Sequence, residues 1–196
     1  MPRVESQMIE LGTVAPAFCL PDGNGAMAAL DDAKDAKAIL VAFICNHCPF
    51  VKHIADPLAS MARDFVDQGL ATFGIMSNDI VNYPDDGPKE MVREAAARGY
   101  EFPYLLDEDQ SVARAYQAMC TPDFYLFGAD HTLVYRGQFD GSRPGDGEAT
   151  GKDLREAIER TLRGEHLDEA TQRPSLGCNI KWIPLPSCSK DSDTHG

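Results

Sequence analysis

The clearest structural signal in this chain is an uninterrupted apolar run at positions 38–45, AILVAFIC, which ends in a cysteine. The run is eight residues long and rich in aliphatic and β-branched side chains, which is typical of a fully buried strand. A membrane-spanning helix needs about 20 apolar residues, so the run is too short to cross a bilayer. We therefore expect it to be the central strand of a sheet.

Helical periodicity begins directly after this strand. Apolar residues at spacings of three and four mark one face of a helix that closes near Gly69: Val51, Ile54, Leu58, Met61 and Phe65. A second buried strand over residues 70–76 and a second helix from Pro88 or Lys89 to Gly99 give the order β-α-β-α. The other predicted elements are a first hairpin turning at residues 22–25, a short strand at 102–106, a helix at 111–119, a hairpin at 124–136 and a last helix ending at Gly164.

Length and charge exclude several classes of function. The chain has 196 residues and a formal net charge of −13, which fits one soluble domain with a substantial core. Negative charge repels phosphate backbones and anionic lipid, so neither nucleic acid nor a membrane is a predicted partner. The first residues lack the pattern of a secretory signal, which predicts a cytoplasmic protein. Six cysteines in such a chain favour catalytic, redox or metal-binding thiols over a disulfide framework.

The junction between the first strand and helix carries the sequence Cys45-Asn46-His47-Cys48. A thiolate at a helix N-terminus is stabilised by unpaired backbone N–H groups and by the helix dipole, which lowers its pKa. Two intervening residues let the sulfurs meet across one helical turn. His47 either favours the thiolate further when protonated or is a solvated loop side chain. The sequence thus predicts a redox-active pair, Cys45 and Cys48.

A strand, a CxxC motif and a helix, followed later by Thr121 and Pro122 ahead of a Phe-rich strand, resemble the thioredoxin fold. The N-terminal hairpin, the insertion at 78–119 and the order of elements are most similar to the AhpC/TSA peroxiredoxin-like branch, over about residues 10–164. The resemblance implies an α/β thioredoxin-like fold with a central mixed β-sheet flanked by helices, an N-terminal β-hairpin and a C-terminal tail. It also implies a cis Thr121–Pro122 bond that faces the cysteine pair.

Typical peroxiredoxins begin this helix with Thr-x-x-Cys followed by Pro. Here Cys48 falls at the peroxidatic position, Pro49 follows it and Cys45 replaces the threonine, so the chain resembles the peroxiredoxin-like group with a CxxC motif. The resemblance implies oxidoreductase or antioxidant activity on a protein or small-molecule disulfide, or on a peroxide, with a separate thiol as the reductant.

Two assignments of the pair stay open at this point. In the first, Cys45 is the more exposed thiolate and attacks a disulfide, and Cys48 resolves the mixed disulfide. In the second, Cys48 attacks a peroxide and the resulting sulfenic acid condenses with Cys45.

Four further cysteines lie outside the motif. Cys120 directly precedes Thr121 and is expected near the pair, either as a redox participant or as a small buried apolar side chain. Cys178 is either an accessory thiol that folds back onto the site or a packed structural cysteine. Cys19 is expected in the core and Cys188 in the tail.

A different class of function uses the same residues. Cys45, His47, Cys48 and His53 are soft ligands suited to Cu(I) or Zn, and a non-enzymatic redox sensor would rely on the same cysteines. A closed zinc site normally needs four ligands, with a second CxxC or paired histidines that this sequence lacks. The prediction is therefore no metal and no cofactor.

The pattern of elements predicts one domain over residues 1–185. Its C-terminal extension, from about residue 165, is expected to pack on the domain through Ile180, Trp182 and Ile183. Residues 186–196 are expected to be a flexible tail. A homodimer remains open as an assembly state.

Overall fold

The structure, a computed structural model, describes residues 3–184. Within that range the strands are β1 Arg3–Glu5, β2 Cys19–Pro21, β3 Met27–Ala29, β4 Ala38–Phe43, β5 Leu70–Met76, β6 Tyr104–Leu106, β7 Cys120–Thr121, β8 Asp123–Gly128, β9 Leu133–Gly137 and β10 Leu176–Asn179. The α-helices are α1 Pro49–Val66, α2 Pro88–Arg98, α3 Ser111–Ala115 and α4 Lys152–Leu162. None of the helices between residues 3 and 184 is both long and apolar enough to span a membrane.

Strand β4 occupies the centre of a five-stranded mixed sheet with the order β6-β5-β4-β8-β9. It pairs in parallel with β5 and antiparallel with β8, and all six of its residues are buried. The apolar run is therefore the central strand that its composition predicts.

The two faces of this sheet are covered by different layers. Alternate residues of β4 point to opposite faces, so Leu40 and Ala42 pack in one cluster while Ile39, Val41 and Phe43 pack in another. The first cluster includes buried residues of α1, α2 and α4, and the second includes those of α3 and the segment before β2. Because β4 is buried on both faces, its position in the core is fixed. Its C-terminal end, which leads into the motif, lies at one edge of that core.

Two local expectations are wrong. The third helix ends at Ala115 instead of continuing to residue 119, because Gln117 adopts a left-handed backbone with φ of 54° and ends the helical turn. Cys19 is exposed instead of buried. It lies on β2, which pairs with β3 in a separate two-stranded sheet.

The C-terminal extension packs against the domain up to Trp182, whereas Ile183, expected to pack as well, is exposed. Strand β10 lies between β1 and β7 in a three-stranded antiparallel sheet, with Cys178 opposite Thr121. Ile180 is buried, and the Arg114 guanidinium lies 4.6 Å from the centre of the Trp182 ring. Cys188 and the predicted flexible tail at 186–196 lie outside the described residues.

Candidate active site

The two cysteines of the motif occupy the turn between β4 and α1. Cys48 is the N-cap residue of α1, and Pro49 is the first residue of the helix, where a missing N–H costs no hydrogen bond. Cys45 is 2% exposed and Cys48 is fully buried. Pro49 is exposed at the helix start, so it shapes the turn and does not cover the sulfurs.

Thr121 contacts both sulfurs from the opposite side. Its hydroxyl lies 3.3 Å from Cys45 Sγ, and its carbonyl oxygen lies 3.1 Å from Cys48 Sγ and accepts a hydrogen bond from it when Cys48 is protonated. The Thr121–Pro122 peptide bond is cis, which confirms the expectation from the resemblance. Both residues are buried, and the loop that holds them faces the cysteine pair.

The surroundings shift the pKa values of the two thiols in opposite directions. The pKa of Cys48 is lowered to about 5 by a hydrogen bond from Cys45, against the effect of burial, with further hydrogen bonds from Cys178 and from the backbone N–H of Val51. The pKa of Cys45 is raised well above its usual value by its hydrogen bond to Cys48, by burial and by the charge of Asp86. These directions favour Cys48 as the thiolate of the pair and Cys45 as its hydrogen-bond donor, and Cys48 gives up its hydrogen bond to the Thr121 carbonyl when it ionises.

These pKa directions favour the second assignment of the pair, with Cys48 as the nucleophile, over the first, in which Cys45 is the attacking thiolate. Neither sulfur is open to solvent, and the Asp86 carboxylate disfavours a negative charge on Cys45. Position at the helix N-terminus favours the charge on Cys48, which is the N-cap residue.

A buried carboxylate, Asp86, organises the turn from the side of α2. It accepts hydrogen bonds from the N–H of Asn46 at 2.8 Å and from the Nδ2 of Asn78 at 2.7 Å. His47 Nδ1 lies 2.6 Å from Asp86 Oδ2, and the His47 ring stacks on Tyr83 with centroids 5.6 Å apart. The side chain of His47 is 15% exposed, so the expectation of a solvated loop side chain is wrong.

Sequence reasoning missed Asp86. It follows another aspartate in a polar loop, and nothing in that loop distinguishes a buried carboxylate from a solvated one. Burial opposes ionisation of Asp86, but the hydrogen bonds from His47 and Asn78 outweigh it and lower the pKa.

We expect Asp86→Asn to destabilise the protein by about 2–3 kcal/mol at neutral pH, because hydrogen bonds to a buried charge are among the strong ones. The folded pKa of Asp86 is lowered, so its contribution is present above the unfolded pKa and is lost as pH falls through the folded value. Urea denaturation at several pH values measures both effects. Asp85→Asn is the matched control, since Asp85 is exposed. Equal stability of the Asp86 variant and wild type would contradict this role.

The register of β10 against β7 decides where the other two buried cysteines point. Cys178 is opposite Thr121 and Asn179 is opposite Cys120, and neighbouring residues of a strand point to opposite faces. Cys178 accordingly shares a face with Thr121 and packs in the same buried cluster as Cys45 and Cys48, where it lowers the pKa of Cys48. The thiol of Cys120 instead donates to the Pro122 carbonyl at 3.5 Å.

Cys120 and Cys178 lie in different positions relative to the cysteine pair. Burial raises the pKa of Cys120 far above its usual value, with the charge of Asp123 adding to the effect. Cys120 therefore follows the description of a small buried side chain beside the loop. Cys178 lies at the site itself.

The ligand set of the metal-binding alternative is assembled only in part. Atoms of Cys45, His47 and Asp86 that could ligate a metal lie within 4.8 Å of one another among the described residues. His53 is not in this group, and its Nε2 lies 2.9 Å from Ser142 Oγ. His47 and Asp86 already hydrogen bond to each other, so a metal would have to break that bond to use both.

Comparisons with known proteins address the family and the fold of the chain. The model of the AhpC/TSA family matches residues 11–136. A Mycobacterium tuberculosis protein named as a candidate peroxiredoxin is 29% identical over 114 residues, which covers 58% of this chain and 68% of that protein.

Two solved structures extend the comparison to the fold. A hypothetical protein of Sinorhizobium meliloti is 49% identical, with a TM-score of 0.90 over 92% of this chain and 99% of that one. The thioredoxin domain of a Bacteroides vulgatus thiol-disulfide oxidoreductase is 19% identical, with a TM-score of 0.59 over 76% of this chain and 99% of that one. The fold is therefore thioredoxin-like, with a central mixed sheet flanked by helices.

Proposed function

Since the chain belongs to the AhpC/TSA family, we propose that it is a thiol oxidoreductase whose redox centre is the pair Cys45 and Cys48. The observation that carries the proposal is the arrangement at the start of α1. A buried thiolate at the helix N-terminus accepts a hydrogen bond from a neighbouring thiol, and Thr121 contacts both sulfurs. A nucleophile and its resolving partner thus lie against the same residue, Thr121, before any substrate binds.

In this reaction Cys48 is the nucleophile. Its thiolate attacks the terminal oxygen of a hydroperoxide, the O–O bond breaks, and the other oxygen leaves as alkoxide or hydroxide, which takes a proton from solvent to give an alcohol or water. Cys48 is then a sulfenic acid. The Cys45 sulfur attacks it, hydroxide leaves and takes the Cys45 proton as water, and a Cys45–Cys48 disulfide forms. An external dithiol returns the pair to the reduced state and is itself oxidised to a disulfide.

Burial of the sulfurs favours a small oxidant over a protein disulfide. Neither sulfur of the pair is more than 2% exposed, so a folded substrate protein has no direct approach to either one. A small cleft beside the cis-proline is lined by residues that include Phe50, Pro122 and Leu176. We place the reaction in a reducing compartment, the cytoplasm, because the cycle needs a supply of thiol reductant.

The test is peptide mapping of the fully reduced, metal-free protein after one equivalent of hydrogen peroxide, with zinc and copper content recorded beforehand. We expect a Cys45–Cys48 disulfide in the wild type and consumption of peroxide by Cys45→Ser but not by Cys48→Ser. A wild type that leaves both thiols reduced would contradict the proposal. A stoichiometric metal on the reduced pair would favour the metal-binding alternative.

Disulfide reduction is the second candidate. It is favoured by the cis Thr121–Pro122 loop, which lies against Cys48. In the thioredoxin fold that this chain resembles, the backbone next to this proline pairs with substrate peptides. Insulin and oxidised glutathione are suitable probes. Accumulation of a mixed disulfide at Cys45 in the Cys48→Ser variant, together with no reaction of either variant with peroxide, would favour this candidate over the first.

A further inference from the structure

Cys178 is brought to the redox pair from a distant part of the sequence. It lies on β10, whose pairing with both β1 and β7 fixes its backbone. The approach to β7 is close at Gly177, where an added Cβ would lie 2.1 Å from the Thr121 carbonyl oxygen. Glycine is therefore required beside Cys178, and the pairing with β7 sets Cys178 opposite Thr121, in the same buried cluster as Cys48.

The contacts make Cys48 the centre of a three-thiol cluster. Cys45, from the preceding turn, and Cys178, from β10 opposite Thr121, pack in the same buried cluster as Cys48, and both lower the pKa of Cys48. Cys178 is 4% exposed, so solvent does not separate the sulfurs. The chemistry proposed for Cys45 and Cys48 leaves this third thiol unused.

We propose that Cys178 is a second resolving thiol, which forms a Cys48–Cys178 disulfide when Cys48 is oxidised. This proposal rests on Cys48 being the nucleophile of the proposed function. The Cys178 sulfur attacks the sulfur of the Cys48 sulfenic acid, the S–O bond breaks, and hydroxide leaves with the Cys178 proton as water.

The protonation state of Cys178 suits the attack on the sulfenic acid. Burial raises the pKa of Cys178 to about 12, with the hydrogen bond to Cys48 adding to the effect, so the proton is available to the leaving hydroxide.

The Cys48–Cys178 and Cys45–Cys48 disulfides are alternatives because both use the Cys48 sulfur. One converts into the other by thiol–disulfide exchange, without net oxidation. Cys45 attacks Cys48 in the Cys48–Cys178 disulfide, which forms the Cys45–Cys48 disulfide and releases Cys178 as a thiol. The oxidised site can thereby be kept as the Cys48–Cys178 disulfide or converted back into the Cys45–Cys48 disulfide of the motif. A link to β10 would also tie the extension covalently to α1.

The experiment uses the full chain with Cys45→Ser, which removes the competing partner. The protein is treated either with one equivalent of hydrogen peroxide or with diamide, which joins two neighbouring thiols without a sulfenic acid, and is then mapped by mass spectrometry. Dimedone is added in parallel to trap sulfenic acid. The double variant Cys45→Ser/Cys178→Ser removes both partners, and Cys45→Ser/Cys120→Ser is the matched control, since Cys120 points to the other face.

We expect a Cys48–Cys178 disulfide in Cys45→Ser and in the control, with both oxidants. The double variant lacking Cys178 should instead show a dimedone adduct at Cys48, increased by roughly tenfold over Cys45→Ser, because nothing remains to condense with the sulfenic acid. Circular dichroism and a Cys178→Ala version exclude loss of folding as the cause.

Failure of this inference differs from failure of the proposed function. A dimedone adduct of equal size with and without Cys178, and no Cys48–Cys178 disulfide after diamide, would overturn the role of Cys178 and leave peroxide chemistry intact. A disulfide after diamide but no oxidation of Cys48 by peroxide would support the pairing and contradict the proposed peroxide reaction.

Discussion

Cys48→Ser is expected to lower the second-order rate constant for hydrogen peroxide reduction by a factor on the order of 10³ or more, as is typical when a nucleophile is removed. Cys48 is the thiol of the cluster whose pKa is lowered, to about 5, while the pKa values of Cys45 and Cys178 are raised. A serine hydroxyl in its place does not ionise near neutral pH. Stopped-flow measurement of peroxide consumption by the reduced protein gives the rate constant.

The pH profile of the same rate constant tests the assignment independently. Because the pKa of Cys48 is about 5, the rate constant should be flat above about pH 6 and fall tenfold for each unit below the pKa. Cys120→Ser should leave the profile unchanged, since the Cys120 thiol donates to the Pro122 carbonyl. Loss of the reaction in Cys45→Ser, with Cys48→Ser still active, would reverse the roles of the two cysteines.

The elements around the motif were predictable because they depend on local pattern. The apolar run predicts β4, and the helical spacing after Cys48 predicts α1 to within a few residues. These two elements alone place both cysteines at the junction of a buried strand and a helix. The resemblance adds the cis Thr121–Pro122 bond, which the structure confirms.

The rest of the site depends on contacts between distant segments. Asp86 reaches the motif through the packing of a loop that looks like any polar connector in the sequence. Cys178 reaches Cys48 only because the register of β10 sets it opposite Thr121, and a shift by one residue would turn its side chain to the other face. A strand of four residues carries too little pattern for that register to be read from sequence.

Asp123 should make the stability of the folded protein fall as pH rises from about 5 to 8, and Asp123→Asn should remove that fall. The carboxyl follows the cis-proline, is 1% exposed and accepts hydrogen bonds from the Met119 N–H and the Tyr125 hydroxyl on one oxygen. Its other oxygen has no partner among residues 3–184. Burial raises its pKa to about 8, so the folded protein binds this proton more tightly than the unfolded chain does.

The sign of the effect follows from this difference. A raised folded pKa contributes stability that is present in full below the unfolded pKa, near 4, and is lost as pH rises through the folded value. The free energy of unfolding of the wild type should fall, relative to that of Asp123→Asn, by about 1 kcal/mol for each pH unit from 5 to 8. Urea denaturation of both proteins across this range measures the difference in their free energies of unfolding. Both proteins contain the same thiols, so the effect of thiol titration cancels in that difference.

Asparagine preserves the shape of the buried side chain and the acceptor used by Met119 and Tyr125, so the comparison isolates the charge. Asp35→Asn removes the same charge from an exposed position and controls for the change in net charge. Its curve should run parallel to that of the wild type. If the Asp123→Asn curve also ran parallel to the wild type, Asp123 would have to be ionised in the folded protein at pH 5, and burial would not be the force that governs this end of β8.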